Sequence, residues 1–319
     1  MARADLLINL VRAGAQGDQV GFRRTVEAIV AEERERQHHV VADRLQEFLR
    51  SNARGTEPAL PADVGSLVHE IHPRRTLADL ILPETVASAC RELLEEHQRV
   101  DLLRSYALEP RHRVLVSGPP GNGKTSLAEA IAGELAVPLL VVRYEAVIAS
   151  FLGETAARLA RMFDYVRTRR CVIFFDEFDT LGKERGDEHE TGEVKRVVSS
   201  LLLNIDALPS HVVVVTATNH PELLDRAVWR RFQLRLELPP PTSSDVQRWV
   251  SRFEQQQGVK LGTTTKSVLA ALKGQSFAEI EEFFLDVQRR VVLEGPDASP
   301  ADVVRARIQQ WRARRAARP

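Results

Sequence analysis

The sequence is short of several features that would each settle a class. Its 319 residues hold two cysteines, Cys90 and Cys171, too few for a disulfide framework and suited to a reducing compartment. No apolar run approaches the ~18–20 residues needed to span a bilayer, which excludes a helical membrane protein. The start, Met1-Ala2-Arg3-Ala4-Asp5, leads into a short apolar stretch from Leu6 to Val11 with no small-residue cleavage site after it, and reads as a mature end rather than a signal peptide. Neither sign of charge prevails. Forty-four Lys+Arg balance 44 Asp+Glu, which argues against a dedicated nucleic-acid binder. What is present is globular material, 44% hydrophobic and 28% charged, enough for two or three folded units at roughly 100–200 residues each. Composition therefore predicts a cytoplasmic, multi-domain protein and says nothing of its chemistry.

Patterning divides the chain into three. Residues 1–65 carry apolar side chains at helical spacing (Leu6, Leu7, Leu10, Val11; Val26, Ile29, Val30; Val40, Val41, Leu45, Phe48, Leu49) and end in a loop with Pro58 and Pro61. This predicts a small all-α N-terminal domain plus linker, with Gly14, Gly17 and Gly21 breaking its first helix from the next. Residues 66–238 alternate short β-branched or apolar runs with helical stretches. The runs are Val114–Val116, Leu139–Val142, Cys171–Phe175 and Val212–Val215; the helices are Thr125–Leu135, Glu154–Arg167 and Glu193–Asp206. That alternation predicts an α/β domain with a mostly parallel sheet covered on both faces. Residues 239–319 open on Pro239-Pro240-Pro241 and then read as four helices.

One segment carries specific chemistry. Gly118-Pro119-Pro120-Gly121-Asn122-Gly123-Lys124-Thr125 follows the predicted strand Arg113–Ser117 and opens a helix that continues through Ser126, the spacing of a phosphate-binding loop. Glycines let successive backbone N–H groups converge on phosphates, and the helix N-terminus adds its positive dipole. Lys124 is placed to reach the β- and γ-phosphates, and the Thr125 hydroxyl to ligate Mg²⁺. Further along, the apolar run Cys171–Phe175 ends in Asp176-Glu177. Paired carboxylates are costly to bury at a strand end without partners, and a metal-bound nucleotide supplies one. Asp176 is expected to hold Mg²⁺ and Glu177 to polarise the attacking water. A third run, Val212–Val215, leads to Asn219, a turn residue by itself and a sensor of the γ-phosphate or lytic water beside the other two motifs.

In this order and spacing the chain resembles the AAA branch of the AAA+ ATPases, over roughly Leu77 to Val292, with Gly118–Thr125, Cys171–Asp179 and Val212–Asn219 in the places of Walker A, Walker B and sensor 1. The resemblance implies a P-loop AAA+ parallel-sheet domain, a C-terminal four-helix lid, ATP and Mg²⁺ as cofactors, and a ring-shaped homo-oligomer, six-membered in the family pattern. Thr218–Asp225 is similar to the family's second region of homology, which ends in arginines inserted into the neighbouring subunit's site; Arg230 and Arg231 stand there, without the usual Pro-Gly between them. Ser150-Phe151-Leu152-Gly153-Glu154 resembles the first pore loop of hexameric unfoldases, with Phe151 and Leu152 as gripping residues; a core phenylalanine is the alternative. Lys183–Glu193 reads equally as a second pore loop or a plain solvated loop. Gly274–Ile280 is similar to the lid motif, where Ala278 occupies the position at which many relatives carry a sensor arginine. The N-terminal region resembles a group of bacterial AAA ATPases paired with a subtilisin-like serine protease in phage defence.

These readings favour an ATP-driven remodeller of protein substrates, with such a protease as a candidate partner. A nucleotide-dependent switch that activates a partner without threading it, and a nucleic-acid motor using the arginine-rich end from Arg305 to Arg318, are the alternatives.

Overall fold

The computed structural model describes residues 6, 10–11, 19–35, 62–143, 152–179, 192–257, 264–295 and 299–316. The chain divides into two compact units, Met1–Pro61 and Ala62–Pro319. In the first, helix α1 (Gln19–Glu35) buries Val26 and Val30, with Leu10 packed against them. Gly21, expected to separate helices, lies inside α1; one glycine near a helix end costs about 1 kcal/mol against alanine and does not by itself stop the helix.

The second unit is built on a six-stranded sheet: β1 (Val68–Ile71), β2 (Arg113–Ser117), β3 (Leu139–Val142), β4 (Cys171–Phe175), β5 (Val212–Thr218) and β6 (Leu234–Glu237). Their order is β1-β3-β4-β5-β2-β6. β2 to β6 run parallel, and β1 pairs antiparallel with β3 at the edge. The central strands are buried along their whole length, β4 and β5 without a single exposed position, as parallel strands covered on both faces require. Edge strands β1 and β6 are covered less completely.

Helices of two turns or more are labelled here. On one face lie α2 (Glu84–Gln98) and α3 (Lys124–Glu134), whose Cys90, Leu93, Leu127 and Ile131 pack with Val116, Phe174 and Val215. Residues of opposite parity on each strand point to the other face. There α4 (Leu152–Arg167) stacks Phe163 on Phe175, with ring centroids 6.4 Å apart, and α5 (Gly192–Asp206) packs on α4.

After β6 come α6 (Ser243–Gln257), α7 (Thr264–Ala271), α8 (Phe277–Glu294) and α9 (Pro300–Ala316). They close a second core around Phe253, Phe283, Phe284, Val287 and Val304. Among the described residues no helix is long and apolar enough to cross a membrane.

Candidate functional site

The strand order decides what meets what. β4, β5 and β2 are neighbours, so the loops at their C-terminal ends open side by side, where open α/β sheets bind ligands. A cleft of about 380 Å³ lies at that edge. Pro120 to Ser126 line it together with Asp176 and Glu177 from the end of β4, Asn219 from the end of β5, and Trp249, Phe277, Ala278 and Glu281 from the helices after β6. Leu80, Ile81 and Leu82 form an apolar stretch of its wall.

Helix α3 begins inside the cleft. Gly123 is its N-cap, at φ +86°, a backbone sign that glycine adopts without strain. The helix N-terminus and its unpaired N–H groups therefore face the cleft. Lys124 is buried, with its ammonium folded against three acceptors: Gly118 O at 2.6 Å, Pro119 O at 2.9 Å and Asn219 Oδ1 at 2.6 Å. Burial pushes its pKa down, and the charges of Asp176 and Asp179 oppose that shift without cancelling it.

The acidic end is equally connected. Thr125 Oγ1 donates to Asp176 Oδ2 at 3.3 Å, and the Glu177 N–H donates to Asp176 Oδ1 at 2.9 Å. Glu177 is exposed and sits at φ +46°, a left-handed conformation uncommon for a residue with a Cβ and a known form of strain at functional sites. The Phe178 N–H, bonded to Ala217 O at 2.8 Å, anchors the turn that imposes it. Adjacent ligands of Mg²⁺, each about 2.1 Å from the ion, lie roughly 3 Å apart. The Thr125 and Asp176 oxygens at 3.3 Å fit that spacing, and the lysine and helix N-terminus fit the phosphates such an ion accompanies.

The lid helix reaches the loop directly. The Ala278 N–H donates to Gly121 O at 2.9 Å, while Ser276 and Glu279 form a capping box that fixes the start of α8. Trp249 and Phe277 pack with ring centroids 6.0 Å apart and present an aromatic surface to the cleft.

Of the residues singled out by sequence, Gly121 to Ser126, Asp176, Glu177, Asn219, Pro120 and Ala278 come together here. Gly118 and Pro119 contribute carbonyls to Lys124 without lining the cleft. Arg230 and Arg231 are not among the lining residues. Arg230 is exposed, with no side-chain partner among the described residues, whereas Arg231 pairs with Asp206 and donates to Leu202 O at 3.3 Å within its own chain. Phe151 lies outside the described residues, as does nearly all of Lys183–Glu193; Leu152 opens α4. Sequence reasoning missed Asp179, which is buried and accepts from Thr218 Oγ1 at 2.9 Å and from the Asn219 N–H at 3.3 Å, so that it aims the asparagine. Its signal was a third acid soon after Asp176-Glu177. Trp249 and Arg75 were also missed, and they carry no local motif.

Comparison with known proteins bears on the family and the fold. The family model "ATPase family associated with various cellular activities (AAA)" matches residues 114–240. The uncharacterized AAA family ATPase y4kL of Sinorhizobium fredii is 34% identical over 303 residues, 92% of this chain and 91% of that protein. A putative 26S proteasome regulatory subunit homolog of Methanothermobacter marburgensis is 31% identical over 217 residues, 67% of this chain but 58% of the relative. Among solved structures, the crystal structure of the FIGL-1 AAA domain superposes with a TM-score of 0.59 at 20% identity, covering 82% of this chain and 98% of that one, a likeness of fold.

Proposed function

The chain belongs to the AAA family of ATPases, and from that premise we propose that it is a ring-forming remodeller of protein substrates driven by ATP hydrolysis in the cleft just described. The observation that carries the reading is the meeting of Lys124, Asn219, Thr125 and Asp176 at the ends of three adjacent strands. Thr125 and Asp176 would hold Mg²⁺, which when bound would offset the charge developing on the phosphates. Lys124 exchanges its carbonyl acceptors for phosphate oxygens. Glu177, held outward by its strained backbone, orients and polarises the attacking water. Asn219, aimed by Asp179 and accepting from Lys124 through Oδ1, senses the γ-phosphate through its Nδ2 amide.

Arg230 is the finger offered to the adjacent subunit. Its exposed side chain supports that role, and in other phosphoryl-transfer systems such a group contributes on the order of 10³–10⁵ in rate. Arg231, committed to Asp206, shapes the turn that presents it. Phe151 and Leu152 grip the substrate. The relative named as a proteasome regulatory subunit homolog supports work on protein substrates. Pairing with a subtilisin-like serine protease in bacterial defence is a finer reading that rests on the N-terminal resemblance alone.

The test is Glu177→Gln, which should retain ATP binding and slow turnover by about 10²–10⁴-fold. Near-normal turnover removes Glu177 as the catalytic carboxylate. Phe151→Ala should keep basal ATPase and lose substrate processing. If processing survives, the threading part fails and a nucleotide-dependent switch becomes the better account.

A further inference from the structure

Outside every motif, the segment 72–82 after β1 runs along α3 and then into the wall of the nucleotide cleft. Its backbone is fastened to that helix. The Arg74 N–H donates to Glu129 Oε1 at 3.1 Å and the Leu77 N–H to Glu134 Oε1 at 3.0 Å. A Cβ on Gly133 would come within 2.3 Å of the Arg75 carbonyl oxygen, so the glycine is what allows so close an approach. The end of this strap is Leu80-Ile81-Leu82, the apolar stretch of the cleft wall.

Two arginines join the strap to the lid helices. Arg75 projects into the cleft rim: Nη1 donates to Ser126 Oγ at 3.4 Å, Nε lies 3.6 Å from Glu129 Oε2, and Nη2 lies 3.7 Å from Glu281 Oε1 on α8. One guanidinium thus spans from the phosphate-loop helix to the lid. From the other side, Arg252 on α6 reaches back to the strap, donating from Nη2 to Ala78 O at 2.9 Å and from Nη1 to Asp79 O. Asp79 in turn accepts from the Thr76 N–H at 2.7 Å and the Thr76 hydroxyl at 2.9 Å, closing the turn between the two arginines. The Thr76 bonds hold the Asp79 carboxyl below its usual range, with Arg252 and Arg75 adding to the effect.

We infer that Arg75 and Arg252 are positioning residues that clamp the lid to the strap, setting how long nucleotide stays in the cleft. The inference rests on the reading of this cleft as an ATP site. Both arginines act through geometry: Arg75 ties α8, which bears Phe277 and Ala278, and Arg252 ties α6, which bears Trp249, to the apolar wall opposite. Residence and affinity should therefore depend on them, while the hydrolytic step at Glu177, on the sheet, should not. Partly exposed pairs are individually weak, so the effect expected from each is moderate.

The experiment measures release of fluorescent ADP and ATP by stopped flow, with steady-state KM and kcat for ATP, on the full chain. The variants are Arg75→Ala, Glu281→Ala, their double, Arg252→Ala, Arg252→Lys and, as a reference, Lys124→Ala. Each arginine-to-alanine variant should raise release rate and KM roughly three- to tenfold and keep kcat within about twofold. The Arg75→Ala and Glu281→Ala effects should be less than additive in the double variant, since each already removes the shared pair. Arg252→Lys should recover part of the loss, because a lysine can satisfy one carbonyl where the guanidinium fork serves two. Release and KM indistinguishable from wild type in both arginine variants, or a fall in kcat at unchanged KM, overturns the clamp even while Lys124→Ala weakens binding as expected. A wild-type chain that binds neither nucleotide overturns the ATP site and the clamp with it.

Discussion

The sheet and the lid solve the same packing problem with different side chains. The core between the sheet and α2–α3 is almost wholly aliphatic: Val114, Val116, Leu127, Ile131, Val172, Val213, Val215 and their neighbours, with Phe174 among them. The core of α6–α9 adds to its aliphatic side chains a cluster of rings. Phe253, Phe283 and Phe284 fill it, with ring centroids 4.6 Å and 5.4 Å apart, and Trp311 meets Phe283 edge-on at 5.8 Å. The sheet is held by backbone ladders in which every residue of β4 and β5 is buried, and its own rings, Phe163, Phe175, Phe178 and Phe232, gather on the face away from α2–α3. The lid has no ladder, and its helices depend on side-chain burial alone. The chemistry consequently stands on the stiff part: Asp176, Glu177 and Asn219 are fixed by strand ends. The lid supplies surface, through Trp249 and Phe277, and one backbone bond, from Ala278 to Gly121.

That contrast can be broken experimentally, starting with the lid core. Phe283→Ala removes a side chain that is 1% exposed and should cost about 3–5 kcal/mol. In a denaturant titration, the loss should appear as an earlier lid transition with the sheet transition nearly in place. A uniform shift of both would mean that the two cores unfold as one. Next comes Lys124→Ala, which should weaken nucleotide binding about 100-fold, or roughly 2.7 kcal/mol, without moving either transition. Calorimetric titration with ATP checks it.

Trp249→Ala should act more gently, raising KM about tenfold, roughly 1.4 kcal/mol, with kcat retained; Trp249→Phe should keep most of the affinity. A large fall in kcat would place chemistry on the lid and end the division drawn here. The smallest effect is a pH dependence belonging to the sheet unit alone. His97, bonded to Arg111 O at 2.8 Å, and His112 are both buried, and burial pushes both pKa values below the usual histidine range. The unfolded chain therefore binds protons that the fold refuses. The stability contribution is fully present above about pH 6.5 and is lost as pH falls through the folded values. Between pH 7.5 and 6 the sheet transition should weaken slightly and the lid transition should not, since the sequence from Ser243 onward contains no histidine. His97→Gln should flatten the slope.

Much of this was legible in the residues themselves. The helices α3 to α5 lie within a few positions of their predicted spans, the stretch after Pro241 forms the four helices expected of it, and β2, β3 and β4 fall on their apolar runs. β1 did not, because Val-His-Glu-Ile offers no such run; its place is set by pairing with β3 and by burial of Val68 against the sheet. The phosphate loop could be read because its chemistry is local: glycine spacing, a lysine and a threonine at the start of one helix.

Sequence alone determined which residue types bring phosphate, metal and water chemistry to this chain, since each motif is a short segment whose function follows from its own backbone and side chains. Tertiary structure decided their mutual geometry. The strand order inserts β5 between β4 and β2, which brings Asn219 to Lys124, and it turns Asp179 inward to hold that asparagine. It commits Arg231 to Asp206 while leaving Arg230 exposed, although the two are adjacent in sequence. It also lays residues 72–82 on α3, giving Arg75 and Arg252 their partners. Such pairings join positions distant along the chain, and only the packing of whole elements fixes them, because no periodicity within a segment records which neighbour it will meet.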